Sequence, residues 1–165
     1  MIREVMALGC LLIPVMSHAE TQINVSGKVV AAPCVVAGDT VSKQVDLPAT
    51  QAHALTDAGS GGDWVDFYLE LDNCPVYLQG VTVNFSGTPD ENDGSTYKNN
   101  GTAGNVSLQL ASDKVNYGNG SALTVDIDSQ SHIAVIQLAA RIYSPVGHAV
   151  KGTVDSVVNV NFTYQ

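Results

Sequence analysis

The stretch Gly152-Thr153-Val154-Asp155-Ser156-Val157-Val158-Asn159-Val160-Asn161-Phe162-Thr163-Tyr164-Gln165 decides the fold, because it alternates without a break. Val154, Ser156, Val158, Val160, Phe162 and Tyr164 share one face, and Thr153, Asp155, Val157, Asn159, Asn161 and Thr163 share the other. A period of two carried by β-branched and aromatic side chains predicts a half-buried β-strand. Only Gln165 follows Tyr164. A β-sandwich whose chain stops inside a core strand has nothing left to cover the next edge, so one edge is expected to stay open to an outside strand.

Working outward from this strand, the same alternation recurs through the chain. Thr21, Ile23, Val25, Gly27 and Val29 fall on one face of a first strand, which Ala31-Ala32-Pro33-Cys34 closes, since Pro33 holds Ala32 extended. Val41, Val45 and Leu47 suggest a second short strand, and Gln51 to Gly62 a glycine-rich loop with a helical turn around Ala52 to Leu55. Val65, Phe67, Leu69 and Leu71 point inward, with Asp66, Tyr68 and Glu70 outward. Val81, Val83 and Phe85 make the next strand, ended by Ser86-Gly87. Thr88 to Gly104 is dense in Asn, Asp, Gly and Thr and reads as a solvated loop. Strands follow at Val106 to Leu110, Leu123 to Ile127 and Ile136 to Ile142, with turns at Gly118-Asn119-Gly120 and Ser144-Pro145-Val146-Gly147. Short strands punctuated by turns, with no sustained helical period, predict an all-β sandwich of immunoglobulin-like type.

The N-terminus reads as an export signal: Arg3, an apolar run from Val5 to Met16, then Ser17-His18-Ala19 with small residues where a signal peptidase cleaves. Residues 1–19 are therefore expected to be a signal peptide and Glu20 the mature start. Cys10 leaves with it; Ala7-Leu8-Gly9-Cys10 is only a faint lipoprotein box, its leucine one place too late. No later stretch approaches about 20 uninterrupted apolar residues, so no membrane insertion is expected. Loss of Arg3 and Glu4 cancels, and the formal net charge of −9 persists, which argues against nucleic acid as a partner. Cys34 and Cys74 remain as an even pair that an oxidising compartment would join. For a loop of that length the chain-entropy account gives roughly 3.5 to 4 kcal/mol.

Nothing in the sequence assembles a catalytic site. His53, His132 and His148 each stand alone in turn-like contexts, and neither His-x-His nor His-Glu-x-x-His spacing occurs. Gly-x-Ser-x-Gly is absent, and the Gly59-Ser60-Gly61-Gly62 run precedes no apolar helix that could cradle phosphate. Asp90, Glu91 and Asp93 lack the closing acidic ligand of a calcium loop and read as a solvated loop. Trp64 could stack on a sugar, but beside the Val65 strand it is expected to pack against the sandwich. The expectation is a protein that is not an enzyme and uses no metal or cofactor.

Four stretches together resemble the pilin subunits of chaperone-usher fimbriae, and among them the minor tip-adaptor subunits of type 1 fimbriae. They are Val25-Ser26-Gly27-Lys28-Val29-Val30-Ala31-Ala32-Pro33-Cys34; Trp64 through Leu69-Glu70-Leu71-Asp72-Asn73-Cys74-Pro75-Val76; Phe85-Ser86-Gly87; and Tyr97-Lys98-Asn99-Asn100-Gly101-Thr102-Ala103. A penultimate tyrosine, Tyr164, and the glycine fourteenth from the end, Gly152, add a fifth match. The resemblance implies an incomplete immunoglobulin-like sandwich lacking its seventh strand, with residues 20–30 as a donor-strand extension and 31–165 as the pilin domain. Thr21, Ile23, Val25, Gly27 and Val29 would form the donor strand, with Ile23, Val25 and Val29 entering a neighbour's pockets. Thr21 stands where a larger apolar residue is expected, so the outermost pocket would be filled less well.

On the same resemblance Cys34 and Cys74 match the family disulfide. Gly152, Val154, Val158, Val160, Phe162, Tyr164 and Gln165 would form the acceptor groove and the C-terminal strand bound by the chaperone. The implied partners are a periplasmic chaperone, an outer-membrane usher and neighbouring fimbrial subunits, and the implied destination is the cell-surface fimbrium, reached through the periplasm. Pattern alone leaves open a Thr21 to Val29 strand that closes its own sandwich. The expected function is a minor fimbrial subunit contributing to adhesion; the alternatives are a major rod pilin or a secreted sugar-binding module.

Overall fold

The computed structural model of the chain describes residues 33–165. The expected signal peptide and the expected donor residues Thr21, Ile23, Val25, Gly27 and Val29 lie outside the described residues. The described elements in chain order are β1 (Val35–Val36), α1 (Gly38–Val41), a 3-10 turn (Ala52–Leu55), β2 (Ser60–Gly61), β3 (Val65–Asp72), β4 (Gly80–Gly87), β5 (Tyr97–Lys98), β6 (Ser107–Ser112), β7 (Val115–Asn116), β8 (Ala122–Asp126), β9 (Ala134–Ser144) and β10 (Val158–Tyr164). They form two antiparallel sheets. The larger runs β1-β3-β9-β6-β5, with β2 pairing β9 and β7 pairing β6; the smaller runs β10-β4-β8.

Alternation explains how the sheets face each other. On β3, Leu69 and Leu71 point inward and are buried; on β9, Ala134, Ile136, Leu138 and Ala140 do the same. From the smaller sheet Val81, Val83 and Phe85 of β4 meet them, at 0 to 1% exposure. One continuous apolar core results, with the inward side chains of β10 packed against it but only partly covered. The fold is therefore all-β, an open sandwich with one disulfide, Cys34 to Cys74, tying the segment before β1 to the segment after β3.

Three expectations change. The strand expected at Val41 to Leu47 is not formed: the chain makes the single turn α1, in which the Thr40 hydroxyl accepts the Glu70 N–H at 2.9 Å, and then continues without a ladder partner. The loop expected from Thr88 to Gly104 contains β5 and buries Thr96 and Tyr97. Its carboxylates cap the loop's own backbone: Asp90 accepts the N–H groups of Asn92 and Asp93, and Asp93 accepts that of Ser95. The final strand is shorter than its alternation suggests and begins at Val158. Residues 153–156 are held by side chains and backbone of 98–103 instead, so local hydrogen bonds displace the sheet ladder there.

Candidate functional site: an open strand edge and its groove

Among the described residues β10 pairs with β4 on one side only, in register from Val158 opposite Gly87 to Tyr164 opposite Val81. Its amide groups can be assigned from the end of the ladder. Gln165 and Gly80 exchange both hydrogen bonds, at 3.0 and 3.4 Å. Bonded pairs recur at every second residue of an antiparallel ladder, so Thr163, Asn161 and Asn159 direct their N–H and C=O groups at β4. Val158, Val160, Phe162 and Tyr164 present theirs to the open edge. The same four residues turn their side chains inward onto the core, where each is half-buried. One row of residues thus offers both a hydrogen-bonding edge and an apolar wall.

Beside this edge runs a groove of about 760 Å³. Val158, Val160, Phe162 and Tyr164 form one wall and Val36, Val41 and Val45 the other; Leu69, Phe85, Leu110 and Leu138 of the core reach its floor. Val41 and Val157 are 73% and 62% exposed, an arrangement of rim residues that an inserted strand would cover. Burial raises the Tyr164 phenol above the ordinary tyrosine range, so it stays neutral against the apolar wall. Lys43, also on the rim, pairs with Asp39 at 3.0 Å and holds that carboxylate below its usual range.

Of the residues expected at the site, the structure brings Val158, Val160, Phe162 and Tyr164 together along the groove. Gln165 ends the β10 ladder, its carbonyl accepting the Gln79 N–H at 2.9 Å. Gly152 and Val154 line a separate depression, with Leu47, Leu55 and Val106. A side chain at Gly152 would overlap the backbone nitrogen of Ala103, so this glycine is needed where two backbones cross. Sequence reading missed the opposite wall: Val36 belongs to a two-residue strand and Val41 to a single helical turn, too short for any period to register.

Among the described residues no group of three His, Cys, Asp or Glu side chains is placed to hold a metal ion. No helix among them is long and apolar enough to cross a membrane. An apolar groove bordered by a free strand edge has the geometry that accommodates an extended peptide.

Comparison with known proteins agrees with this geometry. The fimbrial protein family profile matches residues 23–165. Protein FimG of Escherichia coli K12 is 41% identical over 147 residues, covering 88% of this chain and 86% of FimG. The fimbrial-like protein YdeR of the same organism is 34% identical, covering 89% and 86%. The crystal structure of the P pilus rod subunit PapA superposes with a TM-score of 0.68 at 24% identity, covering 81% of this chain and all of that one.

Proposed function

The chain belongs to the fimbrial protein family and is a subunit of a chaperone-usher fimbria rather than an enzyme, and we propose that it polymerises by donor-strand exchange as a minor tip adaptor between adhesin and rod. The observation that carries the exchange mechanism is the open edge of β10 with its groove. A donor strand laid along that edge pairs with the amides of Val158, Val160, Phe162 and Tyr164 while its alternate side chains enter the groove. In this reading Thr21 to Val29 of one subunit fills the groove of the next, and Ile23, Val25 and Val29 supply the apolar side chains. Before assembly a periplasmic chaperone covers the same groove and engages the Tyr164-Gln165 end, and an outer-membrane usher directs the exchange. The adaptor role, and through it a contribution to adhesion at the cell surface, is supported by the 41% identity to FimG.

The two ends of the chain then fail differently when damaged. Ile23→Asp with Val25→Asp leaves the subunit's own fold and its chaperone complex intact but blocks insertion into the neighbour, because an unpaired carboxylate is costly in an apolar pocket. Deleting Tyr164 and Gln165 removes capture by the chaperone and lowers periplasmic subunit. Co-purification with the chaperone and incorporation into fimbriae measure both. Loss of chaperone binding in the donor variant as complete as in the deletion would overturn the reading. Mass spectrometry of purified fimbriae tests the adaptor role, which requires far fewer copies of this subunit than of the rod subunit.

A further inference from the structure

On the outer face of the larger sheet, away from the groove, lies a second depression of about 870 Å³. Its origin is legible in the register. Asp66, Ala139 and Ala111 lie side by side across β3, β9 and β6, so the middle of the face has two alanines for a floor. Larger side chains stand on either side: Trp64, Arg141 and Gln109 form one bank, Tyr68 and Gln137 the other. Trp64, immediately before β3, and Tyr68 on it are four residues apart, about 13 Å at the rise of extended chain. They are 41% and 49% exposed, so neither ring is absorbed into the core.

The Arg141 guanidinium is held in place before any ligand arrives. It lies 4.5 Å over the Trp64 ring and 5.6 Å from the Tyr143 ring. Its Nε donates to Gln109 Oε1 at 2.6 Å, and the Gln109 amide in turn donates to Asn116 Oδ1 at 3.0 Å. Gln109 is only 6% exposed, which makes this a built support rather than a chance surface contact. The charge pattern points the same way. Lys43 and Lys98 are ion-paired with Asp39 and Glu91, whereas Arg141 and Lys114, which both line the depression, have no carboxylate partner among the described residues. Lys151 is likewise without an ion pair but lies in the depression around Gly152, so two of the three unpaired cations among the described residues share this one surface. Asp66 and Asp113 line it too, neither ion-paired, and supply acceptors for hydroxyl groups.

We propose that this depression binds a saccharide bearing a carboxylate. The sugar's apolar face rests on the Ala139 and Ala111 floor against Trp64, its carboxylate takes the free Nη groups of Arg141, and its hydroxyls meet Asp66. Aromatic rings beside polar side chains suit a ring that is apolar on its faces and polar at its rim, and a planar guanidinium suits a carboxylate. The site is independent of the strand edge, so it stands or falls apart from the exchange reaction.

The test is a glycan array with the full chain purified from the periplasm, carrying terminal uronic acids, sialic acids and matched neutral sugars, followed by titration of the best acidic hit. Acidic glycans are expected to bind at least tenfold more tightly than their neutral counterparts. Arg141→Gln should remove that preference, and Ala139→Leu, which fills the floor without touching a polar group, should abolish binding while circular dichroism shows the sheet intact. Arg141→Lys should restore only part of the preference, since the charge returns without the fork. Absence of any acidic hit, equal binding of neutral sugars, or binding unmoved by Ala139→Leu would overturn the proposal. So would an Ala139→Leu variant that impairs fibre formation with no glycan bound by the parent, which would mark the depression as a contact between subunits.

Discussion

Gly152→Ala is expected to destabilise the subunit sharply although Gly152 is exposed and remote from the core. A Cβ there would overlap the Ala103 nitrogen and lie 2.5 Å from the Thr102 carbonyl carbon and 2.6 Å from the Ala103 Cα, all of them backbone atoms that cannot rotate aside. Relief requires the two segments to separate, which strains three bonds: Thr102 N–H to Thr153 Oγ1 at 3.0 Å, Thr153 N–H to Thr102 Oγ1 at 2.9 Å, and Ala103 N–H to Thr153 O at 3.0 Å. Overpacking costs about 1 to 3 kcal/mol and each weakened bond a fraction of roughly 1 kcal/mol, so the sum is about 2 to 5 kcal/mol. Gly94→Ala is the control, because nothing lies within 4 Å of a Cβ there and its backbone is not left-handed. That change should be neutral or slightly stabilising. Equilibrium urea unfolding of both variants, with unchanged m-values, gives the comparison. Gly152→Ala within about 0.5 kcal/mol of the parent would refute the crossing-backbone argument.

Two further outcomes follow from the core. Cys34→Ser or Cys74→Ser should cost about 2 to 5 kcal/mol and lower periplasmic yield, since the bridge ties the β1 side of the groove to the end of β3; wild-type yield in both would contradict this. Tyr97 is 1% exposed, its hydroxyl has no hydrogen-bond partner among the described residues, and burial pushes its pKa to about 12. The unfolded chain releases that proton near pH 10 while the folded one keeps it, so Tyr97 should make stability fall as pH rises from about 10 to 12. Tyr97→Phe should remove this alkaline loss and be neutral or stabilising by about 1 kcal/mol, read from melts at pH 8 and 11.

The inward faces of β3, β4 and β9 were legible in the sequence because each is long enough for a period of two to repeat and each buries one face only. The half of the groove on β10 was legible for the same reason. Its other half was not, because Val36, Val41 and Val45 owe their position to tertiary contacts of a two-residue strand, a single helical turn and a ladderless segment. The alternation of Val154 and Ser156 continues that of β10, yet those residues turn away to the 98–103 loop; periodicity cannot register competition from Asn99, Thr102 and Thr153 side chains. Trp64, expected against the sandwich, lies on its outer face under Arg141, a pairing visible only once β3 and β9 are in register.

The most direct measurement of the central claim is the melting temperature of the mature chain, with and without a synthetic peptide spanning the donor strand of a neighbouring subunit. Among the described residues the groove leaves Val158, Val160, Phe162 and Tyr164 half-covered and their edge amides without a ladder partner. Three aliphatic side chains entering it are worth roughly 1.5 to 3 kcal/mol each before the cost of ordering the peptide, enough to dominate the stability of a small domain. The account predicts a low melting point for the chain alone, a large rise with the peptide, and no rise with a peptide carrying aspartate at two of its groove-facing positions. A high melting point that the peptide leaves unchanged would contradict it, since the groove would then already be filled from within the chain.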